Sequence, residues 1–207
     1  MNTSGRRMLV AASLVGLLLP GAAWAANGKP LETGQTVSGG AAGDTTAGIE
    51  RSYVDNGLGW VKDQRTGLMW EKKSADGGIH DHDRAFIWSA SGDHLADGTV
   101  FTDFLATLNT PPCFAGYCDW RLPTSFELYT IEDLGRFNPS IDPAFDNACA
   151  APCTVLECSC THPGEYWSSS TGQHQTGMAW IVGFTNGAVM FGDKELSYYA
   201  RAVRNVR

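Results

Sequence analysis

Apolar and polar residues alternate in short runs separated by turn signals. Trp60 to Asp63 and Leu68 to Lys72 flank Gln64-Arg65-Thr66-Gly67 and predict a hairpin, with glycine where positive φ is easiest. Phe101, Phe104, Leu105 and Leu108 fall at helical spacing, and Pro111-Pro112 ends that helix. Thr124-Ser125-Phe126-Glu127 has the form of a capping box, predicting a helix that runs to Leu134 and stops at Gly135. Strand patterns then return at Tyr166 to Ser169, Ala179 to Phe184, Ala188 to Phe191 and Tyr198 to Val206. The middle pair brackets Thr185-Asn186-Gly187, a second hairpin signal. Two helices on an antiparallel sheet with long loops make this an α+β pattern.

The first 25 residues read differently. Arg6 and Arg7 precede an apolar run from Met8 to Leu19, and Ala23-Trp24-Ala25 supplies a small-x-small cleavage site. That is the form of a secretory signal, too short to span a bilayer. Residues 26–52 are rich in Gly, Thr, Ala and Ser and are expected to be a flexible leader, with the folded domain at 53–207. The expected location is the periplasm or the extracellular space, with no stable membrane insertion after cleavage.

Charge narrows the partners. Loss of residues 1–25 removes Arg6, Arg7 and no acid, so the 15 basic and 22 acidic residues become 13 and 22, and the net charge moves from −7 to −9. Nucleic acid and other polyanions need a positive field, so nucleic acid is not an expected partner.

Six cysteines fall after the signal: Cys113, Cys118, Cys149, Cys153, Cys158 and Cys160. An even number in an exported chain predicts disulfides. Cys113 and Cys118 are expected to close a small ring. Cys158 and Cys160 are too close in sequence to bond comfortably, so each should pair with Cys149 or Cys153, in an order the spacing leaves open. A metal cluster with His162 is the competing reading, disfavoured because paired C-x2-C knuckles are missing.

The most chemically suggestive run is His80-Asp81-His82-Asp83, with Asp76 and Asp93 nearby. Its carboxylates suit calcium and its histidines suit a transition metal. The simpler reading is a solvated loop with Asp83 capping a helix. No cofactor is therefore expected, although calcium is weighed. Ser168-Ser169-Ser170 with His174 lacks the glycine-flanked elbow of a hydrolase and reads as strand serines. Trp180, in an apolar strand, is expected in the core, and Trp88, beside the polar loop, is the candidate for exposure. Arg121, Arg201 and Arg204 are expected to pair with Asp119, Glu127 or Glu195, while Arg207 is solvated.

An ordered set of motifs resembles one family. It comprises Thr66-Gly67-Leu68-Met69-Trp70-Glu71-Lys72-Lys73, Asp119-Trp120-Arg121-Leu122-Pro123-Thr124 with Glu127-Leu128, Tyr166-Trp167-Ser168-Ser169-Ser170, and Arg201-Ala202-Val203-Arg204. Together they resemble the Lcl C-terminal domain family of bacteria, and Thr33-Gly34-Gln35-Thr36 resembles its leader. The resemblance implies a fold like that of C-type lectins and the formylglycine-generating enzyme, with terminal strands paired and a long loop region carrying the binding face. The family's namesake is the tip of a collagen-like adhesin that binds sulfated polysaccharides. Here no Gly-X-Y run is seen and the charge is acidic, which disfavours that ligand. The formylglycine-generating enzyme uses a reactive cysteine pair near its C-terminal end, whereas every cysteine here precedes Tyr166, so oxidase activity is not carried over.

The expectation is an exported, non-catalytic binding module that recognises a glycan or an envelope partner through residues 73–100 and 146–165. His80, Asp81, His82, Asp83 and Trp88 are its candidate ligand contacts. A metal-dependent enzyme on the same scaffold and a structural envelope protein are the alternatives.

Overall fold

The computed structural model describes residues 31–35 and 48–206. The signal segment and Arg207 lie outside them. Within them the fold is α+β. Strands β1 (Tyr53–Asp55), β2 (Trp60–Asp63) and β3 (Leu68–Glu71) form an antiparallel meander, and the last strand, β9 (Val203–Asn205), completes that sheet against β3. The second sheet runs β4 (Ala85–Ile87), β8 (Ser197–Tyr199), β5 (Glu165–Gly172), β6 (Gln175–Gly183), β7 (Ala188–Asp193).

Both predicted hairpins are present, and each turn follows from its sequence. Asp63 accepts from the backbone N–H groups of Arg65 and Thr66 and from the Thr66 hydroxyl, and Gly67 takes φ +73°. At the β6–β7 turn Gly187 takes φ +79°, and a Cβ there would lie 2.4 Å from Leu134 Cδ2. Glycine is needed for conformation and for space.

The period-2 pattern of β6 gives the second sheet two faces. Ala179 and Ile181 join one core with Phe86, Trp88, Phe104 and Trp167. Val182 joins the other with Trp70, Leu128, Phe145, Tyr166 and Val203. Burial on both sides explains the run of apolar residues in a strand only nine residues long.

The helices are shorter than the sequence pattern suggests. The first begins as a wide π-helical turn, Val100–Leu105, and tightens into α1 (Ala106–Asn109). The second, α2 (Ser125–Thr130), opens with the predicted capping box. It ends well before Leu134: Ile131 and Glu132 N–H bond three residues back in a closing turn, and distant carbonyls then take the next two backbone donors. Asp133 N–H donates to Ser140 O, and Leu134 N–H donates to Thr33 O. That second bond, with a bridge between Leu31 and Ile49, ties residues 31–35 to the domain.

The terminal strand predicted over Tyr198 to Val206 is broken into β8 and β9. Between them Arg201 is fully buried and donates to the Glu71 and Cys160 carbonyls and to the Thr161 hydroxyl. The Glu71 carboxylate accepts from Ala202 N–H, standing where a sheet partner would. Arg121 pairs with Glu127 and Arg204 with Asp119, as expected, whereas Arg201 is held by carbonyls and a hydroxyl.

All six cysteines are in disulfides: Cys113–Cys118, Cys149–Cys160 and Cys153–Cys158. The last two obey the expected rule that Cys158 and Cys160 each find an upstream partner. They also remove the thiolates that a cysteine metal cluster needs.

Candidate functional site

The run at residues 80–83 does not act as one unit, because its side chains face different ways. His80 turns inward. Its Nδ1 is 2.6 Å from Glu71 Oε1, and its ring packs on Phe114. Glu71 is fully buried and also pairs with buried Lys73 at 3.2 Å. Burial pushes the Glu71 carboxyl up, but Lys73 and the His80 hydrogen bond outweigh it and hold it below the usual range. His80 therefore belongs to a structural network. Asp81 is a turn residue, with its two oxygens accepting from the backbone N–H groups of Gly77 and Asp83. Asp83 caps no helix, since the chain goes on into β4.

His82 and Asp83 face a residue from the cysteine loop. His82 Nε2 is 3.4 Å from Asp83 Oδ1, and His162 Nε2 is 3.8 Å from the same oxygen. The His162 ring stacks on Tyr199 at 4.0 Å, and its Nε2 is 3.0 Å from the Tyr199 hydroxyl. Burial lowers the His162 imidazole below its ordinary value, Asp83 partly offsets this, and His82 adds to the lowering. The two loop regions expected to share a face thus meet here, in a polar cluster.

Trp88 requires a correction. It is buried, with Phe101 edge-on to its ring and the Lys194 ammonium 3.8 Å from the ring centre. Its indole N–H donates to Ser168 O. The polar loop beside it in sequence leaves the surface before reaching it, so Trp88 offers no platform. The Ser168 hydroxyl donates to Trp180 O, that of Ser169 to Pro123 O, and Ser170 Oγ accepts from Ser125 N–H. These serines stitch strands and the α2 start together.

The opposite correction applies to Trp180. Facing away from Ala179 and Ile181, it packs at a tilt against Phe191, ring centres 4.0 Å apart, and lines an open groove of about 500 Å³. Ser125, Phe126 and Tyr129 of α2 form one wall, and Trp180, Gly187 and Val189 form the other. Phe126 is 74% exposed and Tyr129 42%. Sequence reading gave α2 its cap and its extent but did not assign its faces, yet the signal was present. Phe126 and Tyr129 are three apart on the side away from Leu128, so the helix carries two apolar stripes where a core helix needs one.

Beneath the Asn186-Gly187 turn lies Glu132, only 3% exposed. It accepts from the Ser140 hydroxyl at 2.5 Å, while its Oε2 has no hydrogen-bond partner. Burial pushes this carboxyl up to about 7, against partial relief from Ser140 and Arg51.

Comparison with known proteins adds one positive finding. No curated protein and no solved structure matches the chain at a significant level. The Lcl C-terminal domain model matches residues 59–204, from β2 into β9 and across both the groove and the polar cluster. The match spans most of the sequence and takes in the four motifs of the resemblance, and the chain belongs to the Lcl C-terminal domain family.

Proposed function

We propose that the protein is an exported, non-catalytic binding module with a C-type lectin-like fold, and that it holds a glycan in the groove between α2 and the β6–β7 hairpin. The observation that carries this reading is the set of unburied rings along that groove, Phe126 and Tyr129 facing half-buried Trp180. Apolar surface left in water costs about 25 cal/mol per Å², so a contiguous patch of this kind fits a surface that a ligand covers. Pyranose rings present a flat C–H face that stacks on aromatic faces, with hydroxyls at the rim. Ser125, in the α2 wall, is the hydroxyl residue of the lining that can meet them.

The −7 charge of the chain favours a neutral or cationic polymer over a sulfated one. Three disulfides support a location outside the cytoplasm, as does the signal-like start of the sequence. The pairing of late strand β9 with early strand β3 supports the lectin-like arrangement. Nothing in the groove needs calcium, since its lining residues carry no carboxylate.

A glycan-array screen, run once with calcium and once with chelator, tests the proposal. Chelator-insensitive hits among neutral glycans are expected. A blank array under both conditions would sink the glycan reading and turn attention to an apolar protein partner for the same groove.

A further inference from the structure

The edges of the two sheets are not alike. β1 and β9 bound the first sheet and β4 bounds one side of the second, and each is three residues long. β7, the other edge of the second sheet, runs for six residues. Among the described residues no strand or isolated bridge lies beyond it.

A long open edge is a template for pairing with another chain, and proteins ordinarily blunt it with Lys, Pro or a bulge. β7 carries none of these. Ala188 to Gly192 contains no charged residue and no Pro, and the register with β6 is unbroken from Gly183 opposite Ala188 to Met178 opposite Asp193. Val189, Met190 and Phe191 are 43%, 40% and 43% exposed. The ladder also says which backbone groups are open. Lys194 N–H donates to Gly177 O, so alternation turns the N–H and C=O of Ala188, Met190 and Gly192 toward β6 and those of Val189 and Phe191 outward. Asp193 O, next in the outward series, already accepts from Leu196 N–H.

We propose that β7 pairs antiparallel with β7 of a second copy of this chain, about a two-fold axis at Met190, joining the two five-stranded sheets into one.

In this register the strand is its own complement. Val189 and Phe191 of one copy lie opposite Phe191 and Val189 of the other, so the open N–H and C=O groups of both residues are bonded. A β-branched side chain meets an aromatic one twice, and Met190 lies opposite Met190 on the other face. No like charges oppose each other between Ala188 and Gly192, so a chain of net charge −7 meets itself here without local repulsion. Another extended segment would bring backbone groups but not this match of side chains. Strands about 20 Å long bury less than the roughly 1,200 Å² of a standard interface, so the association is weak and concentration-dependent. Val189 also lines the α2 groove, so pairing sets the two grooves side by side on one face of the joined sheet.

Sedimentation equilibrium of the protein without ligand, from micromolar to millimolar, tests the pairing. A monomer–dimer equilibrium is expected. Met190→Lys and Met190→Glu each place like charges opposite one another at the axis and should weaken association about tenfold or more, while an equimolar mixture of the two should recover it. Met190 is half-exposed, so both variants should melt as the native chain does. Val189→Pro, which removes an outward N–H and no bond to β6, should dissociate the pair as well. A native chain that stays monomeric throughout would overturn the proposal and leave the edge to a strand of another protein. Variants that self-associate as the native chain does, or a mixture that fails to recover the dimer, would overturn it equally. No glycan is present, so failure here leaves the groove reading standing.

Discussion

The α2 groove and the His82–His162 face lie on one domain but are built in opposite ways. The groove rests on regular elements. A capping box starts α2, a glycine turn closes the β6–β7 hairpin, and alternation along β6 turns Trp180 outward. The loop face has little regular structure. Two disulfides and a fully buried Arg201, bonded to two carbonyls and a hydroxyl, hold its segments. Rigid elements can carry an apolar platform because their backbone polar groups are already satisfied. Loops must spend side chains on their own backbone, as Asp81 does, so what remains for a ligand is a few polar atoms.

The sharpest way to break this contrast is Arg201→Ala. It leaves the Cys160 and Glu71 carbonyls buried without a donor and Glu71 with less compensating charge, at a cost of about 3–5 kcal/mol. Denaturant melts should show that loss. Proteolysis of the surviving folded fraction should cut first in residues 146–165 and spare α2.

Next in size is a pH effect seated under the groove turn. Glu132 has a folded value of about 7 against 4.5 for the free side chain. The folded state therefore holds the proton more tightly, and the associated stability is full below 4.5 and lost as pH rises through 7. The loss should be on the order of 2 kcal/mol, seen as a lower melting temperature at pH 8 than at pH 5. Glu132→Gln, which keeps a partner for Ser140, should flatten that slope. Glu71 and Glu127 have the opposite sign, their values being held down in the fold, and their contribution is lost as pH falls below 4.5.

The smallest effect separates platform from cap. Thr124→Ala removes the side-chain acceptor for Glu127 N–H and should cost about 1 kcal/mol. Glycan affinity should fall modestly, because the Phe126 wall loosens without losing its rings.

Local chemistry made much of this legible. The Asn-Gly turn, the Thr124–Glu127 box, both hairpins and the Arg121–Glu127 ion pair follow from neighbouring residues or simple alternation, while the Arg204–Asp119 pair, 85 residues apart in sequence, was anticipated from charge and from the motifs the two residues sit in. The misreadings share a different cause. Trp88 and Trp180 were assigned by sequence neighbourhood, but exposure depends on which sheet face is covered. β6 is packed on both sides, and at Trp180 the cover is incomplete. The true end of α2 goes with backbone bonds to Ser140 and to Thr33, the latter about 100 residues away. His162 gave no local sign of its meeting with His82 and Asp83, since that contact is made only when the cysteine loop folds over the 73–100 segment.

The central claim is that the aromatic groove is the ligand platform, and it is tested most directly by probing one glycan array with the native chain and with the Phe126→Ala/Tyr129→Ala double variant, both in chelator. Both substitutions lie on exposed positions, so the melting temperatures should agree closely. The account predicts that the variant, folded as the native chain is, loses the native hits. Native hits retained in full by the folded variant would place the ligand elsewhere and contradict it.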